Sequence, residues 1–277
     1  MPWHASLDLT YRRQDSGKTL CEFAHNGPLR VLKSLYPEGP GVCHNVLVHP
    51  PSGLVGGDAL DIRVQVAEGA HALVTTPGAT RFYRSEAGVA SQHVRVQAAD
   101  HARLEWLPLE NIAYSGCQGV NALHMELAPT AQVIGWDILA LGLPAADMGF
   151  ERGRFEQSVC IQGLWLERGV IDAADTRLLR SPLGLHGKQC LSLLFFASGT
   201  PLPAPERERL LQATRALLTP NPLARWAGLT WPNPQVIVLR VLANFVEPAA
   251  GMLRQVWGLW RQEMWGIAPA TPRIWNV

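Results

Sequence analysis

The sequence predicts a mostly-β protein carrying a helical layer toward its C-terminal end, and three observations lead there. Apolar and polar residues alternate over the first two thirds of the chain, the period of a strand with one buried face. Clusters of Gly, Pro, Asn and Asp interrupt these runs at roughly 8–12-residue spacing, as in a sandwich, barrel or solenoid. No helical pattern lies between successive strand-like runs, which disfavours a parallel α/β fold.

The clearest strand is 60–66, with Leu60, Ile62, Val64 and Val66 on one face and Asp61, Arg63 and Gln65 on the other. Similar runs occupy 70–75, 89–96, 102–107, 122–127, 133–139, 155–161, 164–167, 190–196 and 236–242. The turns Val55-Gly56-Gly57-Asp58 and Thr75-Thr76-Pro77-Gly78 supply positive φ or close backbone approach. Two helices are expected late in the chain. The first, 205–218, opens on Pro205, where a missing N–H is tolerated, and carries Leu210, Leu211, Leu217 and Leu218. The second, 249–265, places Leu253, Trp257, Trp260 and Met264 on one face. No domain boundary or strict repeat is evident, so 1–277 reads as one domain.

A chain of 277 residues with 47% hydrophobic and 17% charged residues builds a core and is not disordered. With 24 Lys and Arg against 23 Asp and Glu, and no basic stripe, nucleic acid is not an expected partner. Ten tryptophans suit either a partner-covered surface or a Trp-rich core. No apolar run of about 18 residues is present to span a bilayer. The opening residues lack a secretory h-region, so a cytoplasmic location is expected. The five cysteines form no C-x-x-C pair, so neither a disulfide framework nor a structural zinc site is written. The G-x-S-x-G, H-E-x-x-H, Walker and G-x-G-x-x-G motifs are also missing, which argues against an enzyme.

Several residues nonetheless carry possible chemistry. Cys43 and His44 offer soft and imidazole ligands, but neighbours on a strand point to opposite faces. The alternative makes Cys43 a small buried hydrophobe and His44 a strand-edge polar group. His25 and His49 are further nitrogen donors by type. Asp58, Asp137 and Glu167 interrupt apolar runs; each must be hydrogen-bonded, paired with an arginine such as Arg81, Arg84 or Arg168, or neutralised by an ion. For Asp58 the plain alternative is an Asx-type turn cap. Glu105 and Glu110 are expected to alternate outward. Thr80 and its neighbouring hydroxyls line a wet passage or satisfy a turn. Arg81, Tyr83 and Arg84 form a contact surface or frame a core aromatic. Trp275 is either a docking tail or part of a C-terminal segment tied into the core. One enzymatic alternative is a β-solenoid carbohydrate-active hydrolase using Asp137 and Glu167 as its carboxylate pair.

The 36–85 segment, YPEGPGVCHNVLVHPPSGLVGGDALDIRVQVAEGAHALVTTPGATRFYRS, resembles the urease accessory protein UreD (UreH) family, whose hallmark is HPPGG-x-VGGD followed by a TTPGATKFYRS-like run. Gly27-Pro28-Leu29-Arg30-Val31, Leu104-Glu105-Trp106-Leu107-Pro108, Gly135-Trp136-Asp137-Ile138-Leu139, Ser181-Pro182-Leu183-Gly184-Leu185 and Pro272-Arg273-Ile274-Trp275-Asn276 extend the resemblance in order. Ser52, Leu109 and Leu143 depart from the family's Gly, Gln and Arg, and Tyr114-Ser115-Gly116-Cys117 lacks an acidic residue common there.

The resemblance implies a β-helix-like stack of strands with two helices packed on it, and no catalysis. It also implies binding to urease apoprotein and to UreF, which carries the GTPase UreG, with dimerisation possible within that complex. The assembly delivers nickel to a dinuclear site whose bridging lysine is carbamylated. It further implies an internal passage for nickel(II) in transit, with no tightly bound cofactor. Asp58, Thr80, Asp137 and Glu167 occupy motif positions that would line it, with Cys43 and His44 as weaker candidates and Arg81, Tyr83, Arg84 and Trp275 as partner contacts.

Overall fold

In the computed structural model, which describes residues 2–276, the turns bend the chain from one sheet to the next, so successive strands stack in parallel coils. In chain order the strands are β1 (His4–Arg13), β2 (Thr19–Asn26), β3 (Arg30–Val31), β4 (Val42–Val48), β5 (Gly53–Leu54), β6 (Ala59–Val66), β7 (His71–Thr75), β8 (Thr80–Phe82) and β9 (Ala90–Ala98). They continue as β10 (Arg103–Leu107), β11 (Asn111–Ala113), β12 (Cys117–Leu127), β13 (Gln132–Leu141), β14 (Gly153–Ile161), β15 (Trp165–Asp172), β16 (Cys190–Ser198), β17 (Ala227–Asn233) and β18 (Val236–Ala243). The α-helices are α1 (Thr176–Arg180), α2 (Ala204–Leu218) and α3 (Val246–Trp265).

One side of the solenoid is a sheet in the order β15-β14-β12-β9-β6-β1-β2, and the second is β17-β18-β16-β13-β10-β7-β4-β3. The short strands β5, β8 and β11 pair in parallel and make a third, narrow side. Parallel pairing runs through β6, β9, β12 and β14 and through β4, β7, β10 and β13. Antiparallel strands flank the coils: β2 beside β1, β15 beside β14, and β16, β18 and β17 beside β13.

Strand alternation fills the interior. Leu60, Ile62, Val64 and Val66 of β6 face Ala72 and Val74 of β7 and Leu104 and Trp106 of β10 within one apolar cluster. β13 is buried on both faces. Val133 and Leu139 join that interior, whereas Ile134, Trp136 and Ile138 pack on the helices. Gly135 lies between them because a Cβ there would overlap the Phe195 ring. Each fully buried aliphatic or aromatic side chain contributes about 1.5–3 kcal/mol, so the second cluster fastens the helical layer firmly.

The helices fall where the periodicity puts them, with α3 starting earlier, at Val246, because Pro248 is tolerated in a first turn. Leu253, Trp257 and Trp260 are buried and Met264 partly so, and Gly266 ends the helix with a left-handed φ of 65°. On α2, Leu210 and Leu218 are buried, and so is Thr214, which accepts the Trp260 indole N–H at 2.9 Å. The five-residue α1 was not anticipated from the sequence; Asp175 caps it by accepting the Leu178 N–H.

Candidate functional site

Inside the solenoid, one position of the first sheet is polar in coil after coil. Gln92, Asn121 and Gln157 are in register on β9, β12 and β14, and the preceding coil puts an apolar residue, Leu60 of β6, at that position. The Gln92 amide donates to Asn121 Oδ1 at 3.0 Å. The Asn121 and Gln157 amides both donate to Asp137 Oδ2, at 3.2 and 2.7 Å, from the facing strand β13. Asn111 on β11 donates to the other oxygen at 2.9 Å. Asp137 is thus held by three neutral amides and no cation, and burial pushes its carboxyl above the usual range against those hydrogen bonds. A buried carboxylate without a counter-charge is unusual and marks a place where a proton or metal ion gains.

A cavity lies beyond each end of this column. The first, about 330 Å³, is lined by Gln92 together with His49, Thr80, Arg81 and Trp106. The second, about 480 Å³, is lined by Gln157 with Glu167, Ser192 and Arg240. His49 has a buried Nε2 without a hydrogen-bond partner, and burial lowers its pKa, which favours the neutral imidazole that binds metals. Thr80 is in register with Asn111 on the narrow side.

The other candidates fall elsewhere. Asp58 is buried with both oxygens occupied, Oδ1 accepting the Trp3 N–H at 3.1 Å and Oδ2 the Val55 N–H at 3.0 Å. It closes the Gly56-Gly57 turn and lines neither cavity. Glu167 is paired, but not with Arg81, Arg84 or Arg168. Its partner is Arg240, on β18, with two contacts of 2.6 and 2.9 Å. Asp137 is enclosed while Glu167 sits at a cavity rim in that ion pair, so the two do not line one open cleft as a hydrolase pair would.

Cys43 donates to Asn45 Oδ1, and burial pushes its thiol up, away from the thiolate a metal needs. His44 points to the other side of β4 and meets Glu38 at 2.6 Å. Among the described residues no three His, Cys, Asp or Glu side chains converge as a metal site. Tyr83 packs on Gly53 and against the Tyr114 ring at 4.8 Å, beside an exposed Arg84 that meets Glu86. Trp275 corrects the docking-tail expectation. It is buried between Trp136 and Trp257 and donates to Thr75 Oγ1 at 2.7 Å, so it ties the C-terminal segment into the core.

Glu105 does alternate out of the coil, but into α3 and not into solvent. It is fully buried, with Arg261 Nε 3.1 Å away, and it accepts the Trp257 indole N–H at 2.6 Å and meets His71 at 2.8 Å. Arg261 also reaches Glu38 at 2.6 Å. The sequence reading missed this network and the amides of the column, although inward amides at 92, 121 and 157 were the available signal.

Parallel coils with a polar core line between two cavities, backed by a helical layer, define a β-solenoid organised around its interior. A family model described as the UreD urease accessory protein matches residues 4–276. Curated relatives called urease accessory protein UreD include those of Albidiferax ferrireducens, 58% identical over the whole of both chains, and Paracidovorax citrulli, 56% identical over the same extent. That of Variovorax paradoxus is 55% identical over 99% of each chain. The chain belongs to the UreD urease accessory protein family.

Proposed function

We propose that this chain is a non-catalytic cytoplasmic scaffold that binds urease apoprotein and UreF, and through UreF the GTPase UreG, and passes nickel(II) along its interior column. Nickel enters at the cavity holding His49 and Thr80, moves past Gln92 and Asn121 to Asp137, and leaves by Gln157 toward Glu167. The observation that carries this reading is the unbroken hydrogen-bonded line from Gln92 to Gln157, with a cavity at each end. Amide and carboxylate oxygens bind nickel weakly, and several weak sites in series favour transit over storage. Arg81, Tyr83 and Arg84 offer a partner contact beside the entry.

The test is co-expression of urease with its accessory proteins and either wild-type chain or Asp137→Ala, with pulldown of the assembly and nickel analysis of the urease. Intact assembly with nickel content reduced several-fold supports the route. Full nickel content with Asp137→Ala refutes it.

A further inference from the structure

At the opposite ends of β7 and β10 from the entry cavity, the corners between the two large sheets enclose a different pocket of about 490 Å³. Its charged and titratable lining consists of Arg13, Arg103, His71 and His101, with no carboxylate among them. The whole chain carries a formal charge of only +1, so two arginines around one space, with no carboxylate in its lining, are a local concentration of positive charge.

The coils place them there. His71, Arg103 and Gln132 are in register at the starts of β7, β10 and β13, so their side chains form one row across three coils. Arg13 reaches in from the end of β1 and donates to Gly69 O at 3.2 Å. Arg103 has no hydrogen-bond acceptor or ion-pair partner among the described residues; its one directed contact is the Trp265 ring, 5.5 Å from Cζ.

The nearby acids are committed elsewhere or stand outside the pocket. Asp100 accepts from Thr130 at 2.7 Å, Glu105 is taken up by Arg261, Trp257 and His71, and Glu68 is exposed beside Gly69 and outside the lining. Burial and the like charge of Arg13 both disfavour the Arg103 cation, with Glu105 opposing them. A half-buried guanidinium lacking an acceptor beside a second one is what an oxyanion compensates, since each fork can donate two parallel hydrogen bonds. The volume is that of a small-ligand site.

We propose that this corner binds a small oxyanion of the carboxylate, carbonate or phosphate type, held by Arg103 and Arg13. No residue of the interior column lines it, so this assignment and the nickel route stand or fall separately.

The experiment measures thermal unfolding of the full-length chain against inorganic phosphate, bicarbonate, acetate and chloride at constant ionic strength and pH. A saturable rise in Tm with at least one oxyanion, with a low-millimolar or lower midpoint and no response to chloride, is expected. The anion of lowest midpoint identifies the class. Arg103→Gln and Arg13→Gln are each expected to weaken the midpoint tenfold or more. Arg13 is exposed, so its variant decides the matter if Arg103→Gln fails to fold. Equal responses to chloride and every oxyanion, or an unchanged midpoint in Arg13→Gln, overturn the proposal.

Discussion

Replacing Glu105 by Gln keeps the shape of the side chain and removes its charge from the buried network under α3. In the native protein this carboxylate lies 3.1 Å from Arg261 Nε and accepts the Trp257 indole at 2.6 Å, with both Glu105 and Arg261 wholly inaccessible. The amide leaves Arg261 facing Glu38 alone and turns an N–H toward groups that are themselves donors. Breaking one partner of a buried ion pair costs about 3–5 kcal/mol. At about 2–4 °C per kcal/mol for a chain of this size, Tm should fall by roughly 6–20 °C. Thermal unfolding followed by tryptophan fluorescence reads this directly, because Trp257 touches the altered group. Glu167→Gln is the matched control: its contact with Arg240 is shorter, at 2.6 Å, but both side chains are about 40% exposed. A pair of that kind is worth only about 0–1 kcal/mol, hence at most about 4 °C. If the two variants lose the same few degrees, the large cost assigned to breaking the buried Glu105–Arg261 pair is wrong.

Asp137→Asn is expected to raise or preserve Tm at pH 7–8 while lowering nickel delivery. The native carboxyl titrates above its unfolded value, so its penalty is full above the folded pKa and disappears as pH falls toward the unfolded one. The variant's advantage should therefore shrink on acidification; a gap that widens instead reverses the assigned sign. Trp275→Phe loses the hydrogen bond to Thr75 and part of a three-tryptophan stack, which should lower Tm by the equivalent of about 1–3 kcal/mol. The folded fraction should capture urease and UreF as well as wild type does in a pulldown; a loss of capture at full stability would restore Trp275 as a docking residue.

The fold was legible where one strand face meets the interior, as on β6, because alternation there is a direct record of burial. It was also legible on α3, whose tryptophans repeat at helical spacing. β1 was missed although it carries the same alternation, with Ala5, Leu7, Leu9 and Tyr11 buried and Ser6, Asp8 and Thr10 between them. The site was legible only in part. Asp137 stood out as an acid inside an apolar run, but Gln92, Asn121 and Gln157 look like ordinary strand polars until the coils are aligned. The coils differ in length, so no fixed sequence period announces their common register. Glu105 misled for a similar reason: the residue that decides its environment, Arg261, lies 156 positions later, on a helix packed over the outer face of its strand.

The composition of the column bears on why it would conduct and not hold. Three of its four side chains are amides, which carry no charge and offer an oxygen or an N–H according to how they turn. The single carboxylate sits between the two cavities, so electrostatic attraction draws a cation inward from either side, whereas a row of carboxylates would trap it. At the far cavity the next acid, Glu167, is already bound to Arg240, and a cation arriving there has to compete with a guanidinium for the same two oxygens. On the proposed route that competition would weaken the Glu167 site relative to Asp137, which has no such competitor. Retention and release along it would thereby be set by two different devices, an isolated acid in the middle and an acid already paired with an arginine at the far cavity, both built from residues on parallel coils and the strands that flank them.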